Sequence, residues 1–194
     1  MVVIIFVVCY THQIKQSKKS GVVPTLSTWI TFVIGTGLSL LTYLLAEEGD
    51  WRSGILNTMD FLATVIILLA LVYYGGRKIV FRSFEKWYLG GVSAIVLFGI
   101  ISQDAWRSNI FTQMLIGLGY IPTILSLHQE KRNVESYVAW VCGLSAGILA
   151  LYPSIQGGNV LAVIYSVRTI VFVILILALM TYYQRQSRLN NDVL

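Results

Sequence analysis

Two residues with charged side chains, Asp60 and Arg168, lie inside long apolar stretches of the sequence. Asp60 is 13 residues before Tyr73, the first of a tyrosine pair. Arg168 is 14 residues before Tyr182, the first of a second pair. At 1.5 Å per helical residue, both lie about 20 Å from the ends of their stretches. Charges in apolar surroundings usually pair or bind something. We predict that the two face each other across a central cavity and contact a solute, with a structural ion pair or snorkelling to the surface as alternatives.

Uncharged polar side chains near these residues could hydrogen-bond a neutral solute. Asn57 precedes Asp60 in the same stretch, and Tyr165 and Ser166 are close to Arg168. Hydrogen bonds from such groups count for more where few waters compete. We therefore predict Asn57, Tyr165 and Ser166 as further substrate-binding residues. Asn159 follows a glycine pair, and for this residue a helix cap is the preferred interpretation.

The sequence contains no recognisable motif for catalysis, metal binding or a cofactor. It has no phosphate-binding loop, no nucleophile elbow and no HExxH motif. His12 and His128 have no cysteine or carboxylate at metal-ligand spacing. We therefore predict a protein that is not an enzyme and that holds neither a metal nor a cofactor.

The composition is typical of an integral membrane protein. Of the 194 residues, 56% are hydrophobic and 12% are charged, and the mean hydropathy is +0.73. Long apolar stretches at this density predict an all-α membrane protein. Sixteen glycines fit closely packed helices, and Gly143 and Gly147 have the spacing that lets two helices approach. The net charge of +5 does not indicate nucleic acid, because the basic residues lie in alternate loops.

Seven transmembrane helices are predicted, with the fifth carrying Pro122 and the sixth ending at Pro153. Their approximate bounds are 2–14, 25–46, 55–74, 87–102, 110–127, 137–152 and a last span that ends at residue 183. The first stretch has only about 13 apolar residues, roughly 20 Å of helix against a bilayer core of about 30 Å. We interpret it as a short span.

The chain contains an internal repeat of about 110 residues. The stretch Tyr10–Trp29 resembles Tyr120–Trp140, since in each an apolar segment ends in a basic loop and a new apolar segment opens at a tryptophan. The predicted layout is 3+1+3, with two parallel three-helix repeats joined by a linker helix. The corresponding divisions are 1–75 for the first repeat, 76–104 for the loop and linker helix, 105–184 for the second repeat and 185–194 for a cytoplasmic tail.

The distribution of basic residues predicts the orientation of the chain. Eleven of the 14 lysines and arginines lie in the loops and tail on one side, whereas Arg52 and Arg107 lie on the other. Positively charged loops are typical of the cytoplasmic side. We therefore predict a multi-pass protein of the plasma (inner) membrane, with its N-terminus outside and its C-terminus in the cytoplasm.

The succession of an apolar span, a basic loop and a span that opens with Ser or Thr and Trp resembles the PQ-loop family. The 3+1+3 layout is similar to SWEET sugar transporters and to Pnu-type nicotinamide riboside transporters. The first repeat has His12-Gln13 where the family has Pro-Gln, and the second keeps the proline as Pro122-Thr123. The resemblance implies that Pro122 is a hinge and that the third spans of the two repeats line the substrate path.

These observations together predict a transporter of a small polar, sugar-like solute. The mechanism would be alternating access between the repeats, with facilitated diffusion as its simplest form and proton coupling through Asp60 left open. Two alternatives remain, which are uptake of a vitamin-like nucleoside and a membrane interaction protein that transports nothing. The expected partners are the solute and the lipid bilayer, and a homo-oligomer is compatible with the sequence.

Overall fold

The computed structural model describes residues 26–46, 53–75, 83–130 and 136–191, and within these ranges the chain forms helices and no strands. The helices are α1 (Leu26–Leu45), α2 (Ile55–Gly75), α3 (Ser83–Ser102), α4 (Ala105–Leu118), α5 (Ile121–Glu130), α6 (Tyr137–Gln156) and α7 (Val160–Asn191). The predicted first span, 2–14, lies outside the described residues. The predicted all-α class is confirmed for the part of the chain that is described.

Two of these helices are long and apolar enough to cross a membrane. They are Tyr137–Gln156 and Val160–Gln186, judged by length and composition. Three shorter apolar segments lie in α1, α2 and α3, over Trp29–Leu45, Ile55–Ala70 and Lys86–Ser102. The fold therefore contains helices suited to an apolar environment.

The predicted end of the sixth span at Pro153 is wrong, because α6 continues to Gln156. A proline removes one helical hydrogen bond and crowds the carbonyl four residues before it, but the residues that follow can keep helical geometry, and here only one more turn remains. The amide of Gly157 still donates to the carbonyl of Pro153 at 2.9 Å. The chain then reverses at Gly158, whose φ of 64° is readily adopted by glycine.

The fifth span also differs from its predicted bounds of 110–127. Helix α4 starts at residue 105 because the side chain of Asp104 caps it, accepting from the Arg107 amide at 2.8 Å. The helix ends at residue 118, and Gly119 and Tyr120 form a turn before α5 begins. Pro122 lies in the first turn of α5, where its missing amide costs least. One predicted span is therefore two helices with a break just before the proline.

The C-terminal tail differs as well, because α7 remains helical to Asn191 rather than ending at Tyr183. Polar residues with good helix propensity can extend a helix beyond its apolar part at little cost. The predicted division at residue 185 therefore falls inside a helix.

Helix α7 contacts most of the bundle. It packs against α6 along much of its length and also contacts α4, α5 and α2. Helix α1 packs against α2, α3 and α4, and α3 packs against α4. The equivalent third helices of the two predicted repeats, α2 and α7, are thus in direct contact.

Close approach of α6 and α7 depends on glycine. A methyl group at Gly147 would lie 3.0 Å from Cγ1 of Ile170, which is closer than ordinary van der Waals contact. At Gly143 the nearest side-chain atom is 4.0 Å away, on Val173. The predicted packing role is confirmed for Gly147, and Gly143 lies at a looser point of the same interface.

This difference predicts opposite effects for one substitution at the two glycines. Gly147→Ala should lower the free energy of unfolding by about 1–3 kcal/mol, since it overpacks the interface. Gly143→Ala should be neutral or stabilising by up to about 1 kcal/mol, because alanine favours the helix and space is available. Thermal unfolding in detergent measures both. Equal stabilisation by the two variants would contradict the close contact at Gly147.

Candidate functional site

Asp60 and Arg168 are joined through Tyr165 rather than directly. The hydroxyl of Tyr165 donates to Oδ2 of Asp60 at 2.5 Å. The Cζ atom of Arg168 lies 4.2 Å from the centre of the Tyr165 ring, a cation–π distance. No nitrogen of Arg168 comes within 4.0 Å of a carboxylate oxygen of Asp60. The two residues therefore belong to one site, but the direct ion pair kept as an alternative is not formed.

The position of Tyr165 follows from its small neighbours. It is 2% exposed and packs in a cluster with Ala63 of α2 and with Ala146 and Ala150 of α6. Alanines at these points leave room for an aromatic ring between three helices. Because Tyr165 and Arg168 are three residues apart, they share one face of α7, and the fixed ring supports the guanidinium.

Arg168 is buried with most of its hydrogen-bonding capacity unused. The side chain is 9% exposed, and Nη2 donates to Oγ1 of Thr169 at 3.3 Å. Its Nε and Nη1 atoms are buried without a hydrogen-bond partner. Arginine does not lose its proton in proteins, so these donors belong to a permanent charge. A buried charge with open donors is costly, and such groups are typical of sites that bind something.

Two further tyrosines lie close enough to Arg168 to interact with its charge, Tyr88 on α3 and Tyr120 in the turn between α4 and α5. The Tyr88 hydroxyl lies against Gly35 of α1, where a larger residue would displace it. The Tyr120 ring stacks on Phe172, with ring centres 4.9 Å apart. Both tyrosines are thus held in place by contacts with other helices of the bundle.

A second polar group, here called the amide cluster, connects α1, α2 and α4. It consists of Ser39, Thr42, Asn57, Asn109 and Gln113, all less than 9% exposed. Oγ of Ser39 accepts from Nδ2 of Asn57 at 3.2 Å and from Nε2 of Gln113 at 2.8 Å. Nδ2 of Asn109 donates to the Ser39 carbonyl and to Oγ1 of Thr42. This network fixes all three amide groups by their nitrogen atoms.

The carbonyl oxygens of this cluster are less well satisfied. Oδ1 of Asn57 and Oε1 of Gln113 are buried without a hydrogen-bond partner. A buried amide oxygen normally accepts at least one hydrogen bond. These two oxygens therefore require donors from another molecule, and that molecule could be water or a solute.

Helix packing places Gln113 near the level of Arg168. The first turns of α4 and α7 pack together in one apolar cluster. Further along, Gly117 of α4 lies against the ring of Phe172 of α7. The two helices therefore run in the same direction. Gln113 and Arg168 each precede these contact residues by one turn, so the unpartnered oxygen and the unpartnered donors lie at similar depth.

The predicted site residues occupy three different positions in the bundle. Asn57 belongs to the amide cluster, and Asp60, Tyr165 and Arg168 form the tyrosine-linked chain. Ser166 is buried, but it lies two residues from Arg168 and so about 200° around α7. Its backbone is next to Gly147 of α6. Ser166 therefore lies on a different face of α7 from Arg168, toward α6.

Asn159 has the predicted role of a helix cap, and Pro122 lies near a break between two helices. Oδ1 of Asn159 accepts from the Ala162 amide at 2.9 Å, which confirms the helix cap. Its Nδ2 donates to the Tyr43 hydroxyl at 3.1 Å. Pro122 follows the break at Gly119 by three residues, so its role as a hinge stays a prediction.

The two ends of the bundle are closed by different contacts between the predicted repeats. At the end with residues 53 and 157, Oγ of Ser154 donates to the Ser53 carbonyl at 3.2 Å, and Ser53 lies against Gly157. At the other end Phe32 of the first repeat contacts Tyr120 of the second, with ring centres 6.5 Å apart, and Tyr120 is supported within its own repeat by Trp140 at 6.2 Å. The Arg168 site lies between these two closures.

Several residues of the site were not predicted from the sequence, namely Ser39, Tyr88, Asn109, Gln113 and Tyr120. Asn109 lies just before the predicted fifth span, 110–127, and so outside the predicted helices. A usable signal was present, since Asn109 and Gln113 are four residues apart and their side chains meet on one helix face. Amide side chains at that spacing in an apolar segment often bind across helices.

Within the described ranges, no group of three or more His, Cys, Asp or Glu residues could hold a metal ion. Comparisons with protein-family models, with curated proteins and with solved structures found no match. The interpretation of the site therefore depends on its own geometry.

Proposed function

We propose that this protein is a multi-pass membrane transporter that moves a small polar solute between two three-helix halves by alternating access. The halves are the predicted repeats, residues 1–75 and 105–184. Beyond the two helices long enough to span, α1, α2 and α3 have 20, 21 and 20 residues, about 30 Å each. That length matches the hydrocarbon core of a bilayer.

One observation gives the proposal its main support. Where the halves meet, buried polar side chains have atoms without a hydrogen-bond partner. Arg168 comes from the second half, and Asn57 from the first, and both have buried atoms without a partner. A protein that serves only as a membrane scaffold has no need of such groups, because unpaired buried polar atoms cost stability. A transporter needs them to replace the water that a polar solute loses.

The contacts at the two ends support a path that opens on alternate sides. At one end the halves are joined by hydrogen bonds at Ser53 and Tyr43 and by a small apolar cluster, and at the other by contact between the rings of Phe32 and Tyr120. Neither closure involves an ion pair or a disulfide in the described part of the chain. Each could therefore open without breaking a strong bond.

Solute flux in proteoliposomes tests the proposal. Purified protein should carry at least one class among sugars, nucleosides, amino acids and small organic acids with saturable kinetics. Arg107→Gln is a control, since Arg107 is 70% exposed and pairs only locally with Asp104. No flux of any class, together with a stoichiometric partner that co-purifies, would favour a membrane interaction protein instead.

A further inference from the structure

Among the described residues, no carboxylate lies within ion-pair distance of Arg168. Thr169 and the ring of Tyr165 are neutral, and the Asp60 carboxylate accepts from the Tyr165 hydroxyl at a greater distance from the guanidinium than an ion pair allows. Asp60 acts on Arg168 only at longer range. A neutral solute could accept hydrogen bonds from Nε and Nη1 and would still leave the charge without a direct counterion. An anionic solute would accept these hydrogen bonds and would also be the direct counterion.

The amide cluster adds a second requirement. The unpartnered oxygens of Asn57 and Gln113 are acceptors only, so a bound molecule that contacts them must offer a donor. The nitrogen atoms of both amides are already used by Ser39, which fixes the direction of the oxygens. A ligand that matches the site therefore has an acceptor with negative charge at one end and a hydroxyl or ammonium donor near it.

We propose, building on the transport function above, that the solute is a small carboxylate with a neighbouring hydroxyl or ammonium group. Its carboxylate binds Nε and Nη1 of Arg168, and its donor binds the amide oxygens. The bound carboxylate is the counterion that Arg168 lacks. Binding therefore raises the free energy of unfolding of the protein. No covalent or redox step is involved.

Probe pairs in which a carboxylate is replaced by its carboxamide provide the test. Lactate and lactamide have nearly the same shape and the same hydroxyl, but only lactate is an anion. Alanine and alaninamide form the corresponding pair with an ammonium group. Thermal unfolding of the full chain in detergent and proteoliposome flux should both respond to the acids, and the amides should act at least about tenfold more weakly, since a hydrogen bond to a charged group is the stronger kind.

Variants connect the effect to Arg168. Arg168→Gln should weaken the response to the acids by about 10- to 100-fold, the range expected for hydrogen bonds between charged groups. Arg168→Lys should retain part of it, because the charge stays and the donor geometry changes. Arg107→Gln should respond as the unaltered protein does, which excludes a general effect of surface charge.

The outcomes separate this inference from the transport function. Equal response to acids and amides, or saturable flux of a neutral sugar with no effect of acids, would overturn the carboxylate and leave transport intact. Thermal stabilisation by acids without flux would support the binding site and contradict transport. If no acid stabilises the protein and none is carried, water alone occupies the polar atoms and the inference is wrong.

Discussion

Oxidation of the double variant Ser53→Cys/Gly157→Cys should reduce solute uptake to background, and a reducing agent should restore it. A Cβ atom built at Gly157 lies 3.7 Å from Cβ of Ser53. This is close to the mean separation of about 3.8 Å in disulfides. The bond would join the two halves at one closure and prevent that end from opening. Cys9→Ser and Cys142→Ser provide a background without competing thiols.

A matched disulfide controls for the chemistry. At Gly99 a built Cβ atom also lies 3.7 Å from Cβ of a serine, Ser108. Gly99→Cys/Ser108→Cys would join α3 to α4 near the same end without linking the first half to the second. This variant should keep its uptake when oxidised. Full uptake by the Ser53–Gly157 variant, with complete bond formation shown by mass spectrometry, would rule out opening at this end.

Arg168→Met should raise the melting temperature of the protein and abolish its transport. Methionine fills a similar volume and needs no hydrogen bonds, so the cost of an uncompensated buried charge disappears. Insertion measurements place that cost at about 2.5–3.5 kcal/mol for arginine at the centre of a membrane helix. For a chain of this length, each kcal/mol corresponds to roughly 2–4 °C. A gain of several degrees is therefore expected in unfolding by differential scanning fluorimetry.

Arg168→Lys is the matched control for that prediction, because it keeps a charge at the same position. It should show no comparable gain in melting temperature. The combination of higher stability and lost transport would identify Arg168 as a residue retained for function. If Arg168→Met instead lowers the melting temperature by several degrees, Arg168 is a structural residue and the proposed binding role is wrong.

The lengths of apolar stretches predicted the helices well where charged or polar residues limit them. Helix α2 begins at the predicted residue, Ile55, and ends one residue after the predicted end at residue 74. The predicted helix boundaries were wrong where polar residues or proline are themselves part of a helix. Asp104 caps α4 and so draws the segment up to Asn109 into the helix, and Pro153 is tolerated near a helix end. Local backbone chemistry decided these boundaries.

The sequence predicted which charged residues belong to the site, but not the contacts that join them. Asp60 and Arg168 stand out because charge is rare in such segments. Which faces they occupy depends on the rotation of each helix, and spans that are apolar all round give no periodic signal for it. The link through Tyr165 arises because Ala63, Ala146 and Ala150 leave space for its ring. That is a property of three helices together, so no single stretch contains it.

In the transporter proposed above, the length of α7 would make movements at the Arg168 site measurable from outside the membrane. Its 32 residues extend about 48 Å, which exceeds the hydrocarbon core by roughly 18 Å. Arg185 is exposed and lies 17 residues beyond Arg168, about 26 Å along the same axis. If the helix tilts rigidly by about 10° around Arg168, residue 185 moves by about 4–5 Å. A spin label there would record the turnover of a site that the label never touches.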